Sequence, residues 1–281
     1  MKKLLSTMLL VLICVVGQGQ TTVKGHVVNE RGERVEYVTI GFEDDTAEEA
    51  LSAVGTISDA QGGFLLTIPK GQRKELVFTH VSYLPTVLPY KDYANGQELT
   101  IVLKDKVVEL AEVVVGKKNK PKTIVGKGVP APGVVGYGGP KEKQSADSPE
   151  GGVLFSPNKD YVISDILLTV SSCQFNQCTV SFNLYEKQGK RYVNILQKPI
   201  YEVVKKSEGK HTIDVRPEET LLVKRKKDYY ISVRVVDSDT DGYLFMKAYL
   251  KKGVYRRHVV GKEKRYPICP AIRVKGYEVA K

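Results

Sequence analysis

The segment Asp237-Ser238-Asp239-Thr240-Asp241-Gly242 sets carboxylates at alternate positions ahead of a glycine. Oxygen ligands so spaced are those of loops that wrap a hard cation such as calcium. An EF-hand would need a bidentate glutamate at the twelfth position of that loop, where this chain has Ala248, and strand-like segments flank the loop. A solvated hairpin turn, in which Asp and Gly tolerate the required dihedrals, is the favoured reading. A hairpin-borne calcium site at Asp237, Asp239 and Asp241 is the alternative, and the sequence calls for no other cofactor.

Nucleophiles and bases are few. The histidines His26, His80, His211 and His258 are scattered singly, and no C-x-x-C, H-E-x-x-H or G-x-S-x-G occurs. Cys173, Cys178 and Cys269 follow the leader described below, an odd number of thiols. Cys173 and Cys178 flank the polar stretch Gln174–Gln177 between two strand-like runs. A hairpin disulfide and three buried small side chains are both consistent with that pattern. Cys173 with His211 or His258 and a carboxylate would make a hydrolase site on the C-terminal half only if the fold brought them together.

Charge is more telling. Formal net charge is +11 over 281 residues. Residues 20–115 carry 9 basic and 15 acidic side chains, whereas residues 151–281 carry 25 and 14. The basic half holds Lys224, Arg225, Lys226 and Lys227 in one run, with Lys251, Lys252, Arg256 and Arg257 further on. Such a field attracts anionic surfaces. Ordinary solubility and protection of strand edges by lysine is the competing reading.

The elements that position these residues are strands. Val23–Val28, Val38–Phe42, Phe64–Ile68, Leu76–His80 and Leu99–Leu103 are short apolar runs separated by turn residues. About seven more follow between Ile163 and Val274, and Tyr229–Val236 alternates so that one side faces a core. Short runs at this spacing predict β-sandwiches. Residues 117–150, rich in Lys, Gly and Pro, read as a linker. Met1-Lys2-Lys3 followed by the apolar stretch Leu4–Val16 has the layout of a secretory signal peptide, with cleavage between Gly19 and Gln20. The residue before Cys14 is Ile13, which argues against a lipoprotein signal. No membrane span is expected in the mature chain. Behind such a leader, an envelope protein, a glycan or lipopolysaccharide is a better partner than nucleic acid.

Three motifs in order resemble a known family. They are Val23–Val28 with the turn Asn29–Val35, the hairpin Gly55–Phe64, and Val77–Tyr83, where Ser82 replaces the usual glycine. Together they resemble the carboxypeptidase regulatory-like domain, a transthyretin-like sandwich abundant in envelope proteins of Bacteroidota. Glu109–Gly116 is similar to the segment that joins this domain to a TonB box in outer-membrane receptors, although simple departure of an edge strand is favoured. The C-terminal half more loosely resembles the uncharacterised all-β module that follows such domains.

The resemblance implies an interaction module with no catalytic residues to transfer. The expected organisation is all-β: leader 1–19, a transthyretin-like sandwich at 20–116, linker 117–150, and a second sandwich of about seven strands at 151–281. The expected role is exported, non-catalytic binding or scaffolding at the periplasm or outer membrane. An envelope hydrolase and a calcium-dependent adhesion module are the alternatives.

Overall fold

Apolar runs bounded by turn residues become strands in the described residues. A computed structural model describes residues 21–42, 54–69, 71–106, 120–141, 149–257 and 263–279. The leader, the Glu109–Gly116 segment and His258 lie outside the described residues. No helix among the described residues is long and apolar enough to cross a membrane.

The first seven strands form two sheets. β1 (Thr21–Asn29) lies between β4 (Gly63–Ile68), antiparallel to it, and β7 (Leu99–Leu103), parallel to it. The second sheet runs β3 (Gly55–Ile57), β2 (Thr39–Phe42), β5 (Leu76–Thr79) and β6 (Thr86–Leu88). Their alternating apolar positions meet in one core that includes Val23, Val27, Ile40, Phe64, Phe78 and Leu103. Side chains set the turns. Asn29 Oδ1 accepts the Arg31 and Glu33 amides at 3.0 and 2.9 Å. Asp59 Oδ1 accepts those of Gln61 and Gly63 at 2.8 and 2.7 Å. Short polar side chains thus hold the chain reversals that the sequence motifs mark.

The remaining fourteen strands among the described residues form one sheet, and twelve of them lie from residue 150 on, where about seven were expected. Two of them, β8 (Lys122–Val125) and β9 (Pro130–Gly139), fall inside the stretch read as a linker. β8 pairs with β21 (Ile272–Glu278), and β9 pairs with β17 (Gly242–Tyr249). The linker reading is corrected for these residues. Their composition is too poor in large apolar groups to signal a strand alone, and burial of Val125, Val135 and Tyr137 against the larger core holds them.

The spine of the sheet is β11 (Tyr161–Gln188), 28 residues long. Its first half pairs with β14 (His211–Val215), β17 and β21. The second half pairs with β13 (Ile200–Ser207) and β16 (Asp228–Ser238). At about 3.3 Å per residue a straight strand of this length would outrun any one core. Register shifts at Ile163/Asp165, Val170/Ser172, Cys173/Gln177 and Thr179/Val180 mark the bulges that bend it. Leu168, Val170, Phe182 and Leu184 therefore share a single core. Gln174–Gln177, read as a break between two strands, lies within this one.

Beside β16 runs β10 (Glu150–Phe155), which also pairs with β18 (Gly253–Arg256). A Cβ on Gly152 would stand 1.9 Å from the Ile231 carbonyl oxygen, so only glycine permits this approach to β16.

A candidate anion-binding cleft between the two sheet systems

Period-two alternation fixes which side chains form the floor of the cleft. On β16 the odd positions Tyr229, Ile231, Val233 and Val235 enter the large core. Tyr230, Ser232 and Arg234 take the opposite face. Across the ladder they stand opposite Tyr185, Asn183 and Ser181 of β11. On the other side Ser232 is opposite Gly152, and Glu150 is opposite Arg256 on β18. Four neighbouring strands thus supply one polar surface. It is buried as well: all of Tyr229–Val235 is buried, so β16 is covered on both faces.

The cover comes from the first seven strands and their loops. Arg234 Nη1 donates to Thr39 Oγ1 at 3.3 Å, and Lys106 Nζ to the Asn194 carbonyl at 3.3 Å. Tyr37 packs edge-on against Tyr201, with centroids 4.9 Å apart. His80 Nδ1 accepts the Ser82 amide, and its Nε2 stands 3.4 Å from the Tyr201 hydroxyl. Burial depresses the His80 pKa from 6.5 to about 4, so the imidazole is neutral. The same desolvation pushes the Tyr201 phenol up. Between the two parts lies a cavity of about 380 Å³ lined by Tyr37, Asn183, Tyr192, Asn194, Tyr201 and Arg234, among others.

Three charged side chains are buried here: Glu150 is 3% exposed, Arg234 5% and Arg256 5%. Glu150 Oε1 accepts from Ser232 Oγ at 2.6 Å and from the Tyr185 hydroxyl at 2.9 Å. Its Oε2 lies 3.9 Å from Arg256 Nη1, which is ion-pair range without a hydrogen bond. The Arg256 guanidinium stacks over Tyr192 at 4.0 Å and Tyr185 at 5.1 Å. Desolvation works against its charge, but Glu150 and the surrounding tyrosines outweigh it and Arg256 is held above its ordinary value. Among the described residues, Nε and Nη1 of Arg256, and Nε and Nη2 of Arg234, have no hydrogen-bond acceptor. An unpaired buried polar group costs about 1–3 kcal/mol, more when charged. With one carboxylate against two guanidinia and the Lys106 ammonium at the same cavity, the site carries excess positive charge beside four unused donors. That arrangement suits an anion.

Other residues singled out by spacing fall elsewhere. Asp237 Oδ2 accepts from the Tyr37 hydroxyl at 3.5 Å, Asp239 Oδ1 from the Gln177 amide at 3.1 Å, and Asp241 Oδ1 from the Lys141 amide at 2.8 Å. Among the described residues no three Asp, Glu, His or Cys side chains converge as metal ligands, these three included. Lys224–Lys227 form an exposed turn before β16, with Lys227 paired to Glu186 at 2.9 Å. Lys251 and Lys252 are exposed on another turn, Arg257 is half-buried, and Arg256 lies in the cleft.

Cys173, Cys178 and Cys269 are free and buried. The Cys173 and Cys178 sulfurs stand 4.0 Å apart on β11. Burial raises the Cys173 pKa, the reverse of what an activated nucleophile needs. The His211 ring turns to the Gly209 carbonyl at 3.3 Å.

Arg234, Glu150, Tyr185, Tyr192 and Tyr201 were not singled out by sequence reasoning. The polar alternation Tyr230-Ser232-Arg234 was the available signal, but it reads equally well as a solvated strand face.

The first seven strands also carry the motif order noted in the sequence. Residues 23–115 match the CarboxypepD_reg-like domain. The match covers a third of the chain. Among the matched residues, Tyr37, Thr39, His80 and Lys106 line the cleft, with others. No curated protein matches the chain significantly. A solved structure, that of infectious bursal disease virus Gx strain, aligns at 10% identity over 93% of this chain and 61% of that one. This chain therefore spans under two thirds of its length. The TM-score of 0.24 is too low to bear on fold or function.

Proposed function

We propose that the protein is an exported, non-catalytic binding module of the bacterial envelope, periplasmic or outer-membrane associated, that receives an anionic ligand group between its CarboxypepD_reg-like domain and the large sheet. The CarboxypepD_reg-like match supports a β-sandwich binding or scaffold module. The basic n-region and apolar run at residues 2–16 support export. The observation that carries the reading is the pair of buried arginines with four unpaired N–H donors. Buried polar groups are nearly always partnered, so such a cluster is more economically explained as a binding site than as a structural element.

The contact surface thereby moves from the exposed lysines to the cleft. Retention of acidic envelope glycans by the immobilised mature protein separates the two. Loss of retention in an Arg234→Lys/Arg256→Lys double variant, with retention intact when Lys224–Lys227 are reversed to Glu, supports the cleft. The opposite pattern returns the function to the surface run. Retention unaffected by either set rejects anion binding by both.

A further inference from the structure

We infer that the group seated in the cleft is a dianionic phosphate group, contacted through Lys106. This inference rests on the anion-binding reading above and specifies its ligand. Among the described residues, the charged side chains that line the cavity are Lys106, Arg234, Arg256 and Glu150. His80 lines it too and is neutral near pH 7, because burial holds its pKa at about 4. Burial also raises the phenols of Tyr37, Tyr185, Tyr192 and Tyr201, which are therefore uncharged. Three cations thus face one carboxylate. A dianion balances the two positive charges left over. A monoanion, such as a carboxylate or a sulfate ester, leaves one of them uncompensated in a desolvated site.

The cations act in two ways. Nε and Nη2 of Arg234, and Nε and Nη1 of Arg256, are sealed beneath the cavity surface. The guanidinia therefore act on a ligand through their charge and not through those donors, and in surroundings of low dielectric that charge is weakly screened. Lys106 supplies the contact. It is half-buried at the cavity, and its ammonium donates to the Asn194 carbonyl at 3.3 Å. An ammonium has three N–H donors, so two remain for phosphate oxygens.

The neutral lining can receive what carries the phosphate. Asn183 and Asn194 lie at the same cavity, linked by an amide hydrogen bond of 3.0 Å that uses one of the two N–H groups of Asn194. Tyr37 and Tyr201 add aromatic surface beside them. A cavity of about 380 Å³ is within the range of small-ligand sites.

The test is calorimetric titration of the full mature chain with glucose 6-phosphate, glucose 6-sulfate, glucose and inorganic phosphate. It is run at about pH 7.5 and about pH 5, on either side of the second ionisation of a phosphate monoester near pH 6. Glucose 6-phosphate is expected to bind at the higher pH, with the sulfate ester and glucose weaker by about tenfold or more. Its advantage over the sulfate ester, whose charge is constant over this range, is expected to shrink at the lower pH. The sulfate ester also controls for titration of the protein itself. Lys106→Met removes one positive charge and is expected to bring the two esters to similar affinity, which a loss of packing alone would not do. The comparison of esters uses the unaltered protein and stands even if that variant fails to fold. Inorganic phosphate binding as tightly as the phosphate ester assigns the site to free phosphate, and tighter binding of the ester assigns it to a phosphorylated sugar. Equal binding of the two esters by the unaltered protein overturns the dianion assignment while leaving an anion cleft. Failure of every anion at millimolar concentration overturns the cleft reading together with this inference.

Discussion

Arg234 is buried, charged and incompletely paired, so the ligand-free fold holds it at a loss. Replacing such a group by an apolar side chain of similar length is commonly neutral or stabilising by about 1–4 kcal/mol. Arg234→Met is therefore expected to keep or raise the melting temperature of the ligand-free protein while removing anion binding, a stability–function trade-off that thermal melts with and without ligand will read. A marked fall in melting temperature would make Arg234 a structural element instead. His80 gives a second residue-scale expectation. Its folded pKa of about 4 lies below the ordinary 6.5, so the unfolded chain takes up the proton first. Its contribution to stability is full above pH 6.5, declines as pH falls to about 4, and then levels. Denaturant midpoints of wild type and His80→Gln across that range should converge on acidification.

Within the elements, β10 and β11 do most to position the cleft. The glycine at 152 lets β10 approach β16 closely, which puts Glu150 beside Ser232 and Arg256. Gly152→Ala would drive a methyl group into the Ile231 carbonyl, and a loss of about 1–3 kcal/mol is expected in urea unfolding. Continuity of β11 through Gln174–Gln177 bears on the thiols. Cys173 and Cys178 are desolvated along one bent strand, and burial raises both pKa values. Iodoacetamide at pH 8 should leave both unlabelled in the native protein and label both after denaturation, as read by mass spectrometry. Absence of label after denaturation without reductant would reveal a disulfide.

Across the whole molecule, the opposite charges of the two halves suggest electrostatic docking, yet the contacts that join them are neutral or singly charged hydrogen bonds and a tyrosine pair. Among the described residues no ion pair joins the first seven strands to the large sheet. The seam should accordingly be insensitive to salt. Tyr37 and Tyr201 form its clearest pair, and a double-mutant cycle with alanine at both is expected to give a coupling of about 0.5–1.5 kcal/mol, unchanged between low and high salt.

Much was legible in the residues alone. Apolar runs, turn residues and the order of three motifs determined the all-β class and the CarboxypepD_reg-like domain, because alternation and turn chemistry are local properties. Strand alternation also put Arg234 and Tyr230 on the face of β16 opposite the core. Three things were decided only by tertiary structure. A 28-residue strand exists because bulges bend it around one core, and residues 122–125 and 130–139 become strands because that core has edges to pair with. The polar face of β16 becomes a cleft because the first seven strands cover it. Burial, which turns an ordinary surface arginine into an unpaired buried one, is a relation between distant segments, and spacing along one strand carries no record of what lies above it.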